Sequence, residues 1–421
     1  MIDIFQSIES EVRSYCRDFT DIFISAKDST IVGESGGNYI DFFAGAGSLN
    51  YGHNNAYIKE KLVDYILKDG ITQGLDLKTE AKRYFLQSLN DYILSPRAFE
   101  YKVQFCGSTG TDAVEASLKL AKKIKGRQGI FAFMGSYHGM TLGSMSVTSN
   151  IQKRVKDSPI SGVTFIPFET GGTYSFDSIT YIESILNDDH SGIEKPAAII
   201  FETIQAEGGI NVASSGWLVR LRNLCDIHDI ILICDDIQVG CGRTGSFFSF
   251  ELSKIVPDIV ILSKSISGLG LPMSIVLLKK ELDIWKPGEH TGTFRGCQFS
   301  FVAGAAALEY RNIIDLDSRT KEKGEFIQQY LLNIELVKTE IITIRGQGMI
   351  WGIDLTKINR PGLARQVSKR CFEKKLIIEV TGRNDMVLKI MPPLTIDKML
   401  LLQGLEIIND SLSNCIGMDS L

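Results

Sequence analysis

Three polar residues stand where apolar runs of this sequence end: Glu202 after AAIIF, Asp235 after IILIC and Lys264 after DIVILS. An apolar run that stops at a lysine sets its ammonium against the sheet. Desolvation there lowers the lysine pKa and leaves a nucleophilic amine, which is what Schiff-base chemistry with a carbonyl compound requires. Two further stretches carry matching chemistry. Gly107-Ser108-Thr109-Gly110-Thr111 lies between the run KVQFC and a helix beginning near Asp112, so it offers backbone N–H groups and hydroxyls at a helix N-terminus, where a phosphate is favoured. Tyr137, in GSYHGMT, supplies a flat aromatic face.

These residues meet the needs of pyridoxal phosphate: an amine for its carbonyl, an ionised acid (Asp235) for its pyridine nitrogen, a cradle for its phosphate and an aromatic ring for stacking. Taken singly, a lysine after a strand is most often a solvated loop residue and a Gly-Ser-Thr turn is only a turn. Their combination in one alternating chain is what gives them weight.

Other motifs fail on context. A strand ending in paired acids, Asp235-Asp236, resembles the metal-holding strand of a P-loop enzyme, but G-x-x-x-x-G-K-[ST] occurs nowhere in the chain. Gly240-Cys241-Gly242-Arg243-Thr244-Gly245 fits G-x-G-x-x-G, yet SFFSFELS follows it without a helical stripe, and the acids precede the glycines. Gly33-Glu34-Ser35-Gly36-Gly37 fits G-x-S-x-G, but the alternation of NYIDFF makes it a hairpin turn and removes Ser35 as a nucleophile.

The elements that must position the chemistry are legible as runs. KVQFC (102–106), GIFAFM (129–134), GVTFIPF (162–168), AAIIFE (197–202), IILICDD (230–236), DIVILSK (258–264) and MSIVLLKK (273–280) predict strands, several apolar throughout and so buried on both faces. Amphipathic stretches at 111–126 and 216–229 predict covering helices. The expected fold class is α/β, a large domain with a mostly parallel central sheet covered by helices. From about residue 315 a polar helical stretch and the short runs IITIRG, MIWGIDL and VLKIMPPL predict a smaller α+β domain, with which NYIDFFAG is placed to pair. The expected boundaries are 1–50 and 315–421 for the small domain and 51–314 for the large one.

With 421 residues, 44% hydrophobic and 23% charged, the chain has the composition of a globular protein able to bury a large core. No apolar run approaches a membrane span, and MIDIFQSIESEVRSY has acids where a signal peptide has a basic end, so a cytoplasmic location and no membrane partner are expected. A net charge of −5 without a basic block argues against nucleic acid. Eight dispersed cysteines without C-x-x-C, and five dispersed histidines, suggest neither disulfides nor a metal.

DDIQVGCGRTG, LSKSISG, FETIQAEGG, STGTDAVEA, SYHGMT, GTFRG and MPPLTI resemble the successive motifs of the class III, fold type I pyridoxal-phosphate aminotransferases, over nearly the whole chain. Within that class, DFFAGAGSLNYGHNN, KDGITQGLD, GINVAS and WKPGEHTGTFRG resemble the diaminobutyrate–2-oxoglutarate transaminases of the ectoine type. The resemblance implies pyridoxal 5'-phosphate as cofactor, Lys264 as the lysine that holds it and shuttles a proton, and Asp235 on the ring nitrogen. It further implies Gln238 at the ring hydroxyl, Thr109, Gly110 and Thr111 at the phosphate, Tyr137 over the ring, and Thr293 at the phosphate of a neighbouring subunit. A homodimer or higher homo-oligomer with shared active sites is implied.

The implied substrates are L-glutamate and L-aspartate 4-semialdehyde, giving L-2,4-diaminobutyrate and 2-oxoglutarate in ping-pong fashion. Glu207 falls on a glutamate that pairs with a substrate-binding cation and releases it. That cation is an arginine in the wider class and Lys389 here, a point charge in place of a bidentate fork. Cys106, Gln73 and Cys297-Gln298 also depart from the pattern. Another ω-aminotransferase, acting on ornithine, 4-aminobutyrate or a related diamine, remains an alternative, as do a same-fold aminomutase or decarboxylase and a silent binding protein.

Overall fold

The computed structural model describes residues 4–151, 162–169 and 176–417. Its strands, in chain order, are β1 (Phe23–Lys27), β2 (Thr30–Gly33), β3 (Asn38–Asp41), β4 (Tyr101–Phe105), β5 (Ile130–Phe133), β6 (Val163–Ile166), β7 (Ala198–Phe201), β8 (Ile204–Gln205), β9 (Asn211–Val212) and β10 (Ile231–Asp235). They continue with β11 (Ile259–Leu262), β12 (Ile275–Lys279), β13 (Thr343–Gln347), β14 (Ile350–Asp354), β15 (Leu376–Ile377), β16 (Glu379–Thr381) and β17 (Val387–Ile390).

Among the described residues, the seven long apolar runs form one seven-stranded sheet in the order β4-β12-β11-β10-β7-β5-β6. β12 runs antiparallel to both neighbours, and the other pairs are parallel. The runs are apolar throughout because both faces are covered. Phe131, Phe133, Ile199, Phe201, Leu232 and Val260 pack into one core with Trp217, Leu221 and Leu224 of the helix Ser215–Ile227. Their alternates Ile130, Ala132, Ala198, Ile200, Ile231 and Ile259 pack on the opposite side with Val114, Leu120 and Ala121 of the helix Gly110–Lys125. Burial of successive side chains on opposite faces is the two-residue period of a strand with no solvent side.

A second sheet, β13-β14-β17-β16, joins the helices Leu363–Glu373 and Lys398–Ile416 in a separate core. The N-terminal hairpin strands share a sheet with a C-terminal piece, since β3 pairs in parallel with β15. Gly33-Glu34-Ser35-Gly36-Gly37 is the turn of the antiparallel β2–β3 hairpin, with Ser35 Oγ 2.5 Å from Asp21 Oδ2. The glycines after Asp236 form turns and open no helix. Within them Arg243 is fully buried and donates to the carbonyls of Met349 and Pro392 and to Asn50 Oδ1, binding this loop to the C-terminal sheet and the N-terminal segment.

Candidate active site

Parallel pairing decides where the site lies. Asp235, the last residue of β10, stands opposite Ile261 of β11, so the next turn of chain carries Lys264 onto the same sheet edge. On the other side Cys234 stands opposite Phe201 of β7, which puts Glu202 next to Asp235. Tyr137 follows β5 and Thr109 follows β4, at the ends where ligands of such sheets gather. Thr109, Gly110, Thr111, Tyr137, Glu207, Gln238, Asp235 and Lys264 line one cavity of about 300 Å³. Lys264 and Asp235 therefore face the same space.

The backbone holds Lys264 in a left-handed conformation, φ 51°, directly after the extended Ser263. A non-glycine residue there carries strain of about 1–3 kcal/mol and persists only where its surroundings fix it. Ser263 Oγ donates to Met273 O at 2.8 Å, and Ser265 Oγ donates to Gly47 O at 2.7 Å while accepting from Asn50 N at 3.1 Å. Burial brings the Lys264 ammonium down to about 8, against the opposing pull of Glu207.

Asp235 has a partner that sequence reasoning missed. His138 Nδ1 lies 2.7 Å from Asp235 Oδ2, both side chains being buried, while Ile237 N donates to Asp235 Oδ1 at 3.2 Å. The only sequence signal for His138 was its place beside Tyr137 in SYHGMT. A carboxylate accepts at roughly four lone-pair sites, so Asp235 keeps acceptor capacity toward the cavity.

At the helix Gly110–Lys125, Asp112 Oδ2 accepts from Thr109 N at 3.1 Å and fixes the entering turn. The first-turn N–H groups have no intrahelical carbonyl to meet, which leaves them for an anion. A Cβ on Gly110 would stand 2.6 Å from Ile237 Cδ1, inside the space the glycine leaves open. Thr111 Oγ1 is engaged elsewhere, 2.7 Å from Thr141 Oγ1 and 2.5 Å from Ser144 Oγ. The Thr109 hydroxyl is likewise engaged by Asp112, so the cradle is mainly backbone. Tyr137 lines the cavity, and its N–H donates to Glu202 Oε2 at 3.4 Å. Burial, then Asp235, pushes the Glu202 carboxyl well above its usual range.

Glu207 sits on the turn between β8 and β9, with its Oε1 2.6 Å from Lys389 Nζ. Lys389 is fully buried in β17 and lies outside the cavity lining. A third member also escaped sequence reasoning: Glu379 Oε2 is 2.8 Å from the same Nζ. Burial opposes the Glu207 charge, but Lys389 and then Lys264 prevail and hold its carboxyl down to about 2. Gln238 Nε2 donates to Ala46 O at 3.0 Å. Thr293 opens the short turn Thr293–Gly296, exposed and away from this cavity. Two of the departures from the family pattern meet in space, Gln73 and Cys297 forming an isolated antiparallel bridge.

Residues 17–412 match the family model described as Aminotransferase class-III. The chain belongs to this family. It is 46% identical over 99% of its length to the diaminobutyrate–2-oxoglutarate transaminase of Bordetella parapertussis, covering 96% of that protein. To the enzyme of the same name from Streptomyces avermitilis it is 49% identical, over 96% of each chain. The fold of this class-III aminotransferase also matches the solved ornithine aminotransferase of Toxoplasma gondii, with a TM-score of 0.85 at 23% identity over 99% of this chain and 94% of that one.

Proposed function

We propose that this aminotransferase moves the amino group of L-glutamate to the aldehyde carbon of L-aspartate 4-semialdehyde, giving L-2,4-diaminobutyrate and 2-oxoglutarate, with pyridoxal 5'-phosphate as cofactor. What carries the reading is that an amine, a carboxylate and a helix N-terminus border one cavity, in a chain 46% identical over 418 residues to an enzyme named for this product. The donor set fits the cofactor: Asp235 has acceptor capacity left, and a Cβ at Gly110 would fill the cradle.

The bound cofactor supplies a carbonyl that takes up an amino group and a ring that stabilises negative charge on the adjacent carbon. Lys264 would hold the cofactor through that carbonyl carbon, and its amine is free once the donor is bound. The freed amine then takes the proton from the donor's α-carbon and returns a proton on the path to product, as base and then acid. Asp235, held by His138, would meet the ring nitrogen and support its positive charge. Thr109, Gly110 and Thr111 would hold the phosphate, Tyr137 the face of the ring and Gln238 its hydroxyl. We assign Thr293 to the phosphate of a second subunit and Glu207 with Lys389 to the substrate's distal charges. We assign residues 1–50 and 315–421 to the small domain and 51–314 to the large one.

Two outcomes are expected. The holoenzyme given L-2,4-diaminobutyrate and 2-oxoglutarate should show a kcat/KM at least about 10-fold above that with L-ornithine or 4-aminobutyrate, the discrimination that one methylene or one missing charged contact provides. A preference for either rival substrate sinks the assignment.

Cofactor uptake by the apoenzyme, followed in the visible, should speed up with pH, because only the neutral Lys264 amine attacks. With an ammonium that ionises at about 8, the rate rises roughly tenfold per pH unit below that point and levels above it. A flat profile from pH 6 to about 9 would contradict the assignment of Lys264.

A further inference from the structure

Lys389 on β17 stands directly opposite Glu379 on β16 in the strand register, and its Nζ also reaches Glu207 on the β8–β9 turn. Thr381 Oγ1 donates to Ala206 O at 2.9 Å and Gly382 N to Glu207 O at 3.3 Å, so β16 is tied to that turn. One ammonium is thereby set between two carboxylates, at 2.6 and 2.8 Å. Lys264 acts on both carboxylates from the neighbouring cavity and brings the four groups to balance, while Lys389 alone is shared directly between two acids.

L-glutamate does not explain the second acid. With its α-amine directed to the cofactor, its far end carries a carboxylate, which a second acid repels. The other substrate differs: an amino acid that reacts at its ω-carbon presents an ammonium and a carboxylate together at the far end. Glu379 is placed for that ammonium. It lines a cavity of about 860 Å³ that shares Glu207 as a wall with the cavity holding Lys264. Its Oε2 pairs with Lys389 Nζ at 2.8 Å, and a carboxylate has roughly four lone-pair sites, so one ammonium does not exhaust it.

We propose that Glu379 is the residue that recognises the α-ammonium of the unreacting end of an ω-amino or ω-oxo α-amino acid. It thereby selects such substrates over ω-amino acids that lack an α-amine. On binding, the substrate ammonium takes the place of Lys389 beside Glu379, and the substrate carboxylate takes the place of Glu379 beside Lys389. No buried charge is left without a partner through the exchange. This inference rests on the transaminase reading above and adds the group that reads the substrate's second amine.

The test is Glu379→Gln, which keeps the shape and leaves the Glu207–Lys389 pair intact, compared with Glu379→Asp, which keeps the charge. With L-2,4-diaminobutyrate, kcat/KM should fall about 100-fold in Glu379→Gln, mostly in KM, and recover in part in Glu379→Asp. With 4-aminobutyrate and with L-glutamate it should stay within about threefold. Binding gives an independent readout. L-2-Aminobutyrate, which carries the same ammonium and carboxylate, should bind Glu379→Gln loaded with pyridoxamine phosphate about 100-fold more weakly than the unaltered enzyme so loaded.

Equal losses on all three substrates, or an undiminished response to L-2,4-diaminobutyrate, overturn the role of Glu379 and leave the reaction standing. Failure of the unaltered enzyme to use L-2,4-diaminobutyrate while it uses 4-aminobutyrate overturns the underlying substrate reading, and this inference with it.

Discussion

Lys264→Ala should lower transamination by about 10³-fold or more, since it removes both the group that holds the cofactor and the base that moves the α-proton. The visible absorbance of the lysine-bound cofactor should vanish with it. The protein should stay folded. Lys264 contributes little to packing and costs free energy through its buried ammonium, whose proton is held only to about 8. Its left-handed backbone at φ 51° is no worse for alanine than for lysine. Thermal unfolding of the variant should therefore shift by only a few degrees, roughly what 1 kcal/mol gives in a chain of this size. Retained turnover with L-glutamate would remove Lys264 from its assigned role, and a collapsed fold would show that its role is structural.

Asp235→Asn should behave differently, and the difference separates the two roles. The amide keeps the shape of the carboxylate but not its charge, so the proton on the ring nitrogen is no longer held and the ring loses its pull on electrons. A loss of about 10²–10³-fold in kcat is expected, the scale on which a single preorganised electrostatic contact acts. Lys264 should still hold the cofactor, and the visible absorbance should survive. His138 extends this prediction. With Nδ1 2.7 Å from Asp235 Oδ2, it orients the carboxylate, so His138→Ala should lower kcat less than Asp235→Asn does. Unchanged kcat in Asp235→Asn would mean that another group supports the ring.

The seven buried strands were legible because both faces of the sheet are covered, and sustained apolar runs result. Their ends were less so. DIVILSK reads as a strand through Lys264, whereas β11 stops at Leu262 and Lys264 turns left-handed. Hydropathy carries no sign of that reversal. It is set by Ser263, Ser265 and the packing of Gly268 against the helix Gln298–Ile313, where a Cβ on Gly268 would come within 2.4 Å of Ala307 Cβ. Local order in the chain exposed Lys264, Asp235 and Thr109, since Asp235 ends its strand and the other two follow shortly after theirs.

His138 and Glu379 were not legible because their roles come from distant partners. His138 meets an acid 97 positions away, and Glu379 meets Glu207 only through a lysine shared across two sheet elements. A signal for Glu379 was nonetheless present: a carboxylate inside the apolar run LIIEV, where a charge persists only if paired. The motif resemblance supplied what spacing could not, the pairing of Glu207 with Lys389, which the structure places 2.6 Å apart.

Borohydride reduction of the holoenzyme, followed by proteolysis and mass spectrometry, tests the central claim most directly. The reduced cofactor should be fixed to the peptide that contains DIVILSKSISG, on Lys264. Its appearance on any other lysine, or on none, would contradict the account.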